Sequence, residues 1–325
     1  MKNDSTFAFI DSLSGITFTT QFVVSIVGLL VIIPHLFIIT RKSMRTSSTN
    51  SLITGIALCD LIVISSVIFD YLYPRNYADP CRNSMSYFSV FSFEASYFCR
   101  DTFTRSSYYI GLSLALIRVL VISFPMNQTI SSLTKQSVGY LLIFLMILIN
   151  FVPSANFYFR IEIVVYDDWM PLEECPGYPS NYTELLFKTA NPSIVQVNIY
   201  RWISAVFQIF ICVIYPILAI LLLFQIRKIG KRAANLTRQS TSDSGKTSRM
   251  ILVMTISYMI SSAPIGINFL IRQYSKSHSF LELLIGISTL VESMLFIING
   301  SVHCFICLIM STEYRNTVKG LMGSK

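Results

Sequence analysis

Charged residues make up only 13% of these 325 residues, and that scarcity excludes an ordinary soluble domain of this length. Alternating apolar and polar runs bounded by turn signals are missing too, which argues against a membrane β-barrel. HExxH does not occur, and Cys304 with Cys307 is a single CxxC inside an apolar run, so no metal site is expected from ligand spacing. His303 is the histidine deepest in an apolar run, and no nucleophile stands beside it at a recognisable spacing, which argues against an intramembrane enzyme. The opening MKNDSTFAFIDSLSG lacks the basic-then-apolar layout of a cleaved signal, so the first apolar segment is expected to act as its own signal anchor. No cysteine follows Cys307, and palmitoylation of the tail is not expected.

What is present is apolar: 53% of the residues, with a mean hydropathy of +0.59. Segments long enough to span a bilayer, about 20 residues each, lie near 18 to 40, 51 to 73, 87 to 123, 138 to 158, 202 to 226, 249 to 271 and 281 to 310. The expected fold is an all-α seven-transmembrane helix bundle forming one domain, with residues 1–17 outside, 18–310 in the bundle and 311–325 as a cytoplasmic tail. Pro34, Pro153, Pro216 and Pro264 fall inside spans, where neighbouring helices can take up freed backbone groups. In the tail, STEYRNTVKGLM suits a short amphipathic surface helix.

Charge sets the orientation. Arg41, Lys42, Lys135, Arg227, Lys228, Arg315 and their neighbours follow the odd-numbered segments, opposed only by Asp243 and Glu313. The positive-inside rule places those connections in the cytoplasm and the N-terminus outside, in a multi-pass protein of the plasma membrane. The net charge of +8 therefore needs no nucleic acid to explain it. Acids such as Glu162, Asp167, Asp168 and Glu184 collect in the outer loops, and that field attracts a basic ligand. The sequons at Asn3 and Asn181 are outside and open to glycosylation, whereas those at Asn127 and Asn235 are inside. Cys81 and Cys175 occupy outer loops and are expected to pair, with Cys99 the rival partner for Cys175.

Ionisable residues inside spans mark function. Asp60 lies mid-membrane in the second span, serving either a site or a structural tie between helices. On the third span Glu94, Phe98, Asp101 and Arg105 recur at intervals of four, three and four, so they share a helical stripe beside Arg100. Asp101 and Arg105 either pair with each other or floor a ligand pocket. Arg118 lies roughly 20 Å below Arg105 at 1.5 Å per residue, at the inner face. The last span adds Glu292, Asn299 and His303.

RKSMRTSSTN with ALCDL, then LALIRVLVISFPMN, SAPIGI and NGSVHCFICLIMSTEYRNTVK, together resemble rhodopsin-like G-protein-coupled receptors. The chain is more closely similar to the nematode serpentine receptors of class w, themselves similar to receptors for FMRFamide-like and myosuppressin peptides. That resemblance implies a peptide ligand, a heterotrimeric G protein gripped at Arg118, and helix movement about Pro216 and Pro264. It implies no cofactor beyond a sodium ion at Asp60 with Ser107 and Asn299. Tyr314 with Arg315 matches the start of the surface helix.

Several positions depart from the pattern. Ile117 replaces the acid beside the arginine, Ser262 a tryptophan, HCFIC the Asn-Pro-x-x-Tyr run, and Phe93 a cysteine. Arg100 stands where amine receptors have aspartate, which disfavours a monoamine. The expected ligand set is Glu94, Arg100, Asp101, Arg105, Tyr108 and Glu292, and His303 is expected to face Asp60. Rival readings are a chemosensory receptor for a small environmental molecule and a transporter, although no inverted repeat is visible.

Overall fold

The computed structural model describes residues 2–76, 81–172, 174–179, 181–190, 192–235, 242–274, 279–321 and 323. Side chains at 2–11, 74–76, 229–235, 242–246, 265–267, 269–274 and 279–284 lie outside that description. Among the described residues seven long helices are formed: α1 (Lys2–Ile39), α2 (Ser48–Asn76), α3 (Tyr87–Ser123), α5 (Gln136–Tyr158), α6 (Ile194–Asn235), α7 (Ser242–Tyr274) and α8 (Ser279–Met310). Two short ones, α4 (Gln128–Ser132) and α9 (Thr312–Leu321), lie beside the same end of the bundle. Among the described residues six helices are long and apolar enough to cross a membrane; α7 is the seventh of the bundle, packed between α6 and α8.

α3 is the central post, touching α2, α5, α6 and α7. Every residue from Arg105 to Ala115 is buried, as a helix enclosed on all sides requires. Its ends are set locally: Ser86 accepts from the Ser89 amide at the start, and Pro125 follows the last helical turn, where it offers no amide to continue the ladder. Pro34, Pro153, Pro216 and Pro264 all sit inside unbroken helices.

Two features differ from the sequence reading. α1 begins at Lys2 rather than near residue 18, so the segment containing Asn3 is helical, although the Asn3 side chain lies outside the described residues. The connection between α5 and α6 is not an irregular loop but an antiparallel hairpin, β1 (Ile163–Trp169) with β2 (Glu184–Thr189). Val, Ile, Tyr and Trp in β1 favour a strand, and the Phe187 amide donates to the Met85 carbonyl at 2.7 Å, tying the hairpin to the approach to α3. A Cys81–Cys175 disulfide fastens the same region, leaving Cys99 free. Asn181 is exposed in the hairpin connection.

α9 carries Glu313 in its first turn and Lys319 in its last, each matched to the helix dipole. Tyr314 anchors it: 1% exposed, with its hydroxyl 3.0 Å from His35 Nδ1 of α1. Burial pushes the Tyr314 hydroxyl well above the ordinary tyrosine pKa, so it stays protonated.

Candidate functional site

At the hairpin end a cavity of about 420 Å³ opens between α1, α3, α5, α6 and α8. α3 supplies Arg100, Asp101 and Arg105, α5 Tyr158, α6 Gln208, and α8 Glu292. Asp101 and Arg105 are one turn apart on the face that α3 turns inward. The Arg105 guanidinium bonds Asp101 and Ser154 through Nη2, reaches Tyr200 at 3.4 Å, and donates from Nη1 to Ser204 at 3.0 Å. Asp101 in turn accepts from Tyr200 and from Ser154, the latter at 2.9 Å. The pair thus ties α3 to α5 and α6 while forming the cavity floor. Glu292 accepts from Asn268 of α7, and Gln21 of α1 donates to Ser293 at 2.7 Å.

Beside this floor, Arg100 forms a 2.7 Å ion pair with Asp70 of α2, whose other oxygen accepts from Ser96 at 2.7 Å. The guanidinium also covers the Tyr97 ring at 4.6 Å. Asp70, Ser154, Tyr200 and Ser204 escaped the sequence reading. Asp70 sits near the end of its helix, where a charge looks merely solvated, and α5 carries no charge and reads as packing.

Four of the six expected ligand residues line the cavity: Arg100, Asp101, Arg105 and Glu292. Tyr108 does not. It lies one turn below Arg105, 2% exposed, with its ring against Tyr258 and Phe296 and its hydroxyl 3.4 Å from Ser261. Glu94 is also off the wall, about 10 Å above Asp101 along α3.

Deeper in the bundle, Ser107 donates to Asp60 Oδ1 at 2.7 Å, and Asp60 Oδ2 is buried without a hydrogen-bond partner. Gly300 of α8 lets the carboxylate approach: a Cβ there would lie 2.7 Å from Oδ2. Asn299 instead accepts from Ser257 of α7, so only two of the three expected site members meet. His303 forms no hydrogen bond with Asp60. It is one turn beyond Gly300, its ring 4.7 Å from that of Tyr258, and neither ring nitrogen has a hydrogen-bond partner. An unpartnered, buried carboxylate oxygen is the kind of donor a monovalent cation such as sodium takes, and the Ser107 hydroxyl lies against the same carboxylate.

At the opposite end a second cavity, of about 380 Å³, is lined by Arg118, Thr49, Asn50, Met250, Ser311 and Glu313. Arg118 Nη2 donates to Thr49 Oγ1 of α2 at 2.6 Å, while Nε has no partner. Ile117 is 5% exposed in the core, so the restraint on this arginine comes from a neighbouring helix and not from the adjacent residue. Between the two cavities, Tyr215 next to Pro216 donates to the Tyr108 carbonyl at 2.6 Å. Gly111 of α3 leaves room for Tyr215 and Tyr258; a Cβ would come within 2.7 Å of both side chains. Pro264 lies two turns beyond Ser257 on α7, where its missing amide weakens the helix ladder.

Seven packed helices, six of them among the described residues long and apolar enough to cross a membrane, define a multi-pass membrane protein. The model of the serpentine-type seven-transmembrane G-protein-coupled chemoreceptor family Srw matches residues 19–325, and the chain belongs to that family, which is one of receptors and not of enzymes. It is also similar to the FMRFamide receptor of Drosophila melanogaster, 21% identical over 306 residues covering 90% of this chain and 51% of the other. The chain thus spans about half the length of that relative.

Proposed function

We propose that this receptor sits in the plasma membrane with its N-terminus and hairpin outside, and takes an extracellular peptide of the FMRFamide-like kind into the 420 Å³ cavity. The ligand signals through a heterotrimeric G protein docked at the Arg118 cavity. The observation that carries this reading is the pairing of two polar cavities at opposite ends of α3, one around Asp101 and one around Arg118. Similarity to an FMRFamide receptor supports the peptide class. A ligand that favours one arrangement of the bundle shifts α7 about Pro264 and widens the mouth around Arg118. Sodium at Asp60 and Ser107 stabilises the other arrangement.

A chemosensory role for a small molecule is the second reading, favoured by the chemoreceptor description of the family. The test is a panel of amidated FMRFamide-like peptides against the expressed full chain, with G-protein activation as readout. Thr104, on the cavity wall, is replaced by Trp to fill it. A peptide response lost in Thr104→Trp at equal surface expression supports the reading; silence to every peptide with a response to small odorants assigns the second one.

A further inference from the structure

A third concavity, open to the surface and adjoining the Arg118 cavity, holds about 580 Å³ between the α1–α2 connection and α9. Arg41, Lys42 and Ser43 form one wall, and Asn316, Thr317 and Gly320 the other. Its volume is in the range of small-ligand sites, about 300–1,000 Å³. Arg41 and Lys42 are exposed, and among the described residues neither forms an ion pair. The Arg41 guanidinium lies 4.0 Å over the Phe37 ring, which holds it at the rim. Glu313 is the acid of the wall, and Asn50 donates to its Oε2 at 3.3 Å. The Ser43 and Thr317 hydroxyls meet at 3.1 Å, joining the two walls. The cleft opens where α1 ends its apolar run at Ile39 and where amphipathic α9 lies, which is headgroup depth and not hydrocarbon.

We propose that this cleft binds the phosphorylated headgroup of a phosphoinositide lipid. Arg41 and Lys42 take the phosphates, and the hydroxyls of Ser43 and Thr317 with the Asn316 amide bond the ring hydroxyls. Two cations that lack carboxylate partners at a membrane surface attract anionic lipid. A multiply phosphorylated ring satisfies both, whereas a phosphatidylserine headgroup brings an ammonium against them. The bound headgroup bridges the α1–α2 connection to α9 and so fixes how α9 lies beside the Arg118 cavity, with which this cleft shares Glu313 and Asn316.

The full chain is reconstituted in phosphatidylcholine nanodiscs containing a minor fraction of phosphatidylinositol 4,5-bisphosphate or phosphatidylserine, and retained lipid is measured by native mass spectrometry. Phosphoinositide is expected to be retained over phosphatidylserine, and retention to fall about ten-fold or more in R41Q/K42Q. Gly320→Trp is expected to do the same with both cations kept, because a Cβ at Gly320 meets nothing within 4 Å and the ring enters the open cleft. R227Q/K228Q, at the exposed end of α6, is expected to retain the lipid. Melting in plain phosphatidylcholine reports folding of each variant, and R41Q/K42Q decides the matter if the Trp variant does not fold. Undiminished retention in R41Q/K42Q, equal loss in R227Q/K228Q, or equal retention of phosphatidylserine overturns the proposal. So does displacement by soluble inositol trisphosphate as effective as by the lipid, which assigns the site to a free phosphate. None of these readouts involves an agonist or a G protein.

Discussion

Asp70 of α2 and Arg100 of α3 form a 2.7 Å ion pair in which the carboxylate side chain is 7% exposed and the guanidinium 31%. That inequality makes the two halves of the pair respond differently to substitution. Removing Arg100 strands a buried carboxylate on Ser96 alone, whereas removing Asp70 leaves a guanidinium that can turn toward water. Breaking a buried pair costs about 3–5 kcal/mol, and the exposure of Arg100 discounts this. R100A is expected to destabilise by about 2–3 kcal/mol and D70N by about 1 kcal/mol or less. Thermal unfolding of detergent-solubilised protein checks the order, and a D70N/R100Q double variant is expected to recover most of the loss.

The Asp101–Arg105 pair has the opposite asymmetry, with the arginine side chain 5% exposed and the aspartate 27%. D101N keeps hydrogen-bond capacity but removes the counter-charge of a buried guanidinium. It is expected to lower surface expression markedly, while R105Q leaves Asp101 with Tyr200 and Ser154 and costs less. Cell-surface immunolabelling of the two variants side by side measures the difference; equal expression contradicts the buried-cation argument.

Thr49 provides the hydrogen bond that holds Arg118 toward α2. A hydrogen bond to a charged group contributes about 1.5–3 kcal/mol. Thr49→Val is therefore expected to raise basal G-protein activation about ten-fold without changing ligand affinity, and Arg118→Gln to abolish activation with binding retained. Nucleotide exchange in the absence of ligand is the measurement.

Tyr314 and His35 hold α9 against α1 across 3.0 Å. Tyr314→Phe leaves the buried imidazole without this partner, at about 1–3 kcal/mol. Faster amide hydrogen exchange in α9, with the bundle helices unchanged, is the expected result. Uniform acceleration through all helices would mean that the tyrosine serves global stability instead.

Asn181 tests the orientation. In a cell it is expected to carry glycan, so that Asn181→Gln removes an electrophoretic shift that glycosidase also removes. An unshifted wild-type protein, with glycan at Asn127 instead, would place the hairpin on the cytoplasmic side.

The sequence by itself determined the spans, the foot of α3 at Arg118, the amphipathic α9, and Cys81 and Cys175 as the expected pair, because these depend on apolar runs, helical period and compartment. It did not reveal Asp70 as the partner of Arg100, nor Ser154, Tyr200 and Ser204 as those of Arg105, nor His35 as that of Tyr314. It likewise assigned His303 to Asp60, whereas neither His303 ring nitrogen bonds that carboxylate and Gly300 of the same helix lies against it. Those pairings are settled only when helices far apart in sequence pack, since side-chain partners in a bundle follow the relative height and rotation of neighbouring helices, and no local pattern encodes either.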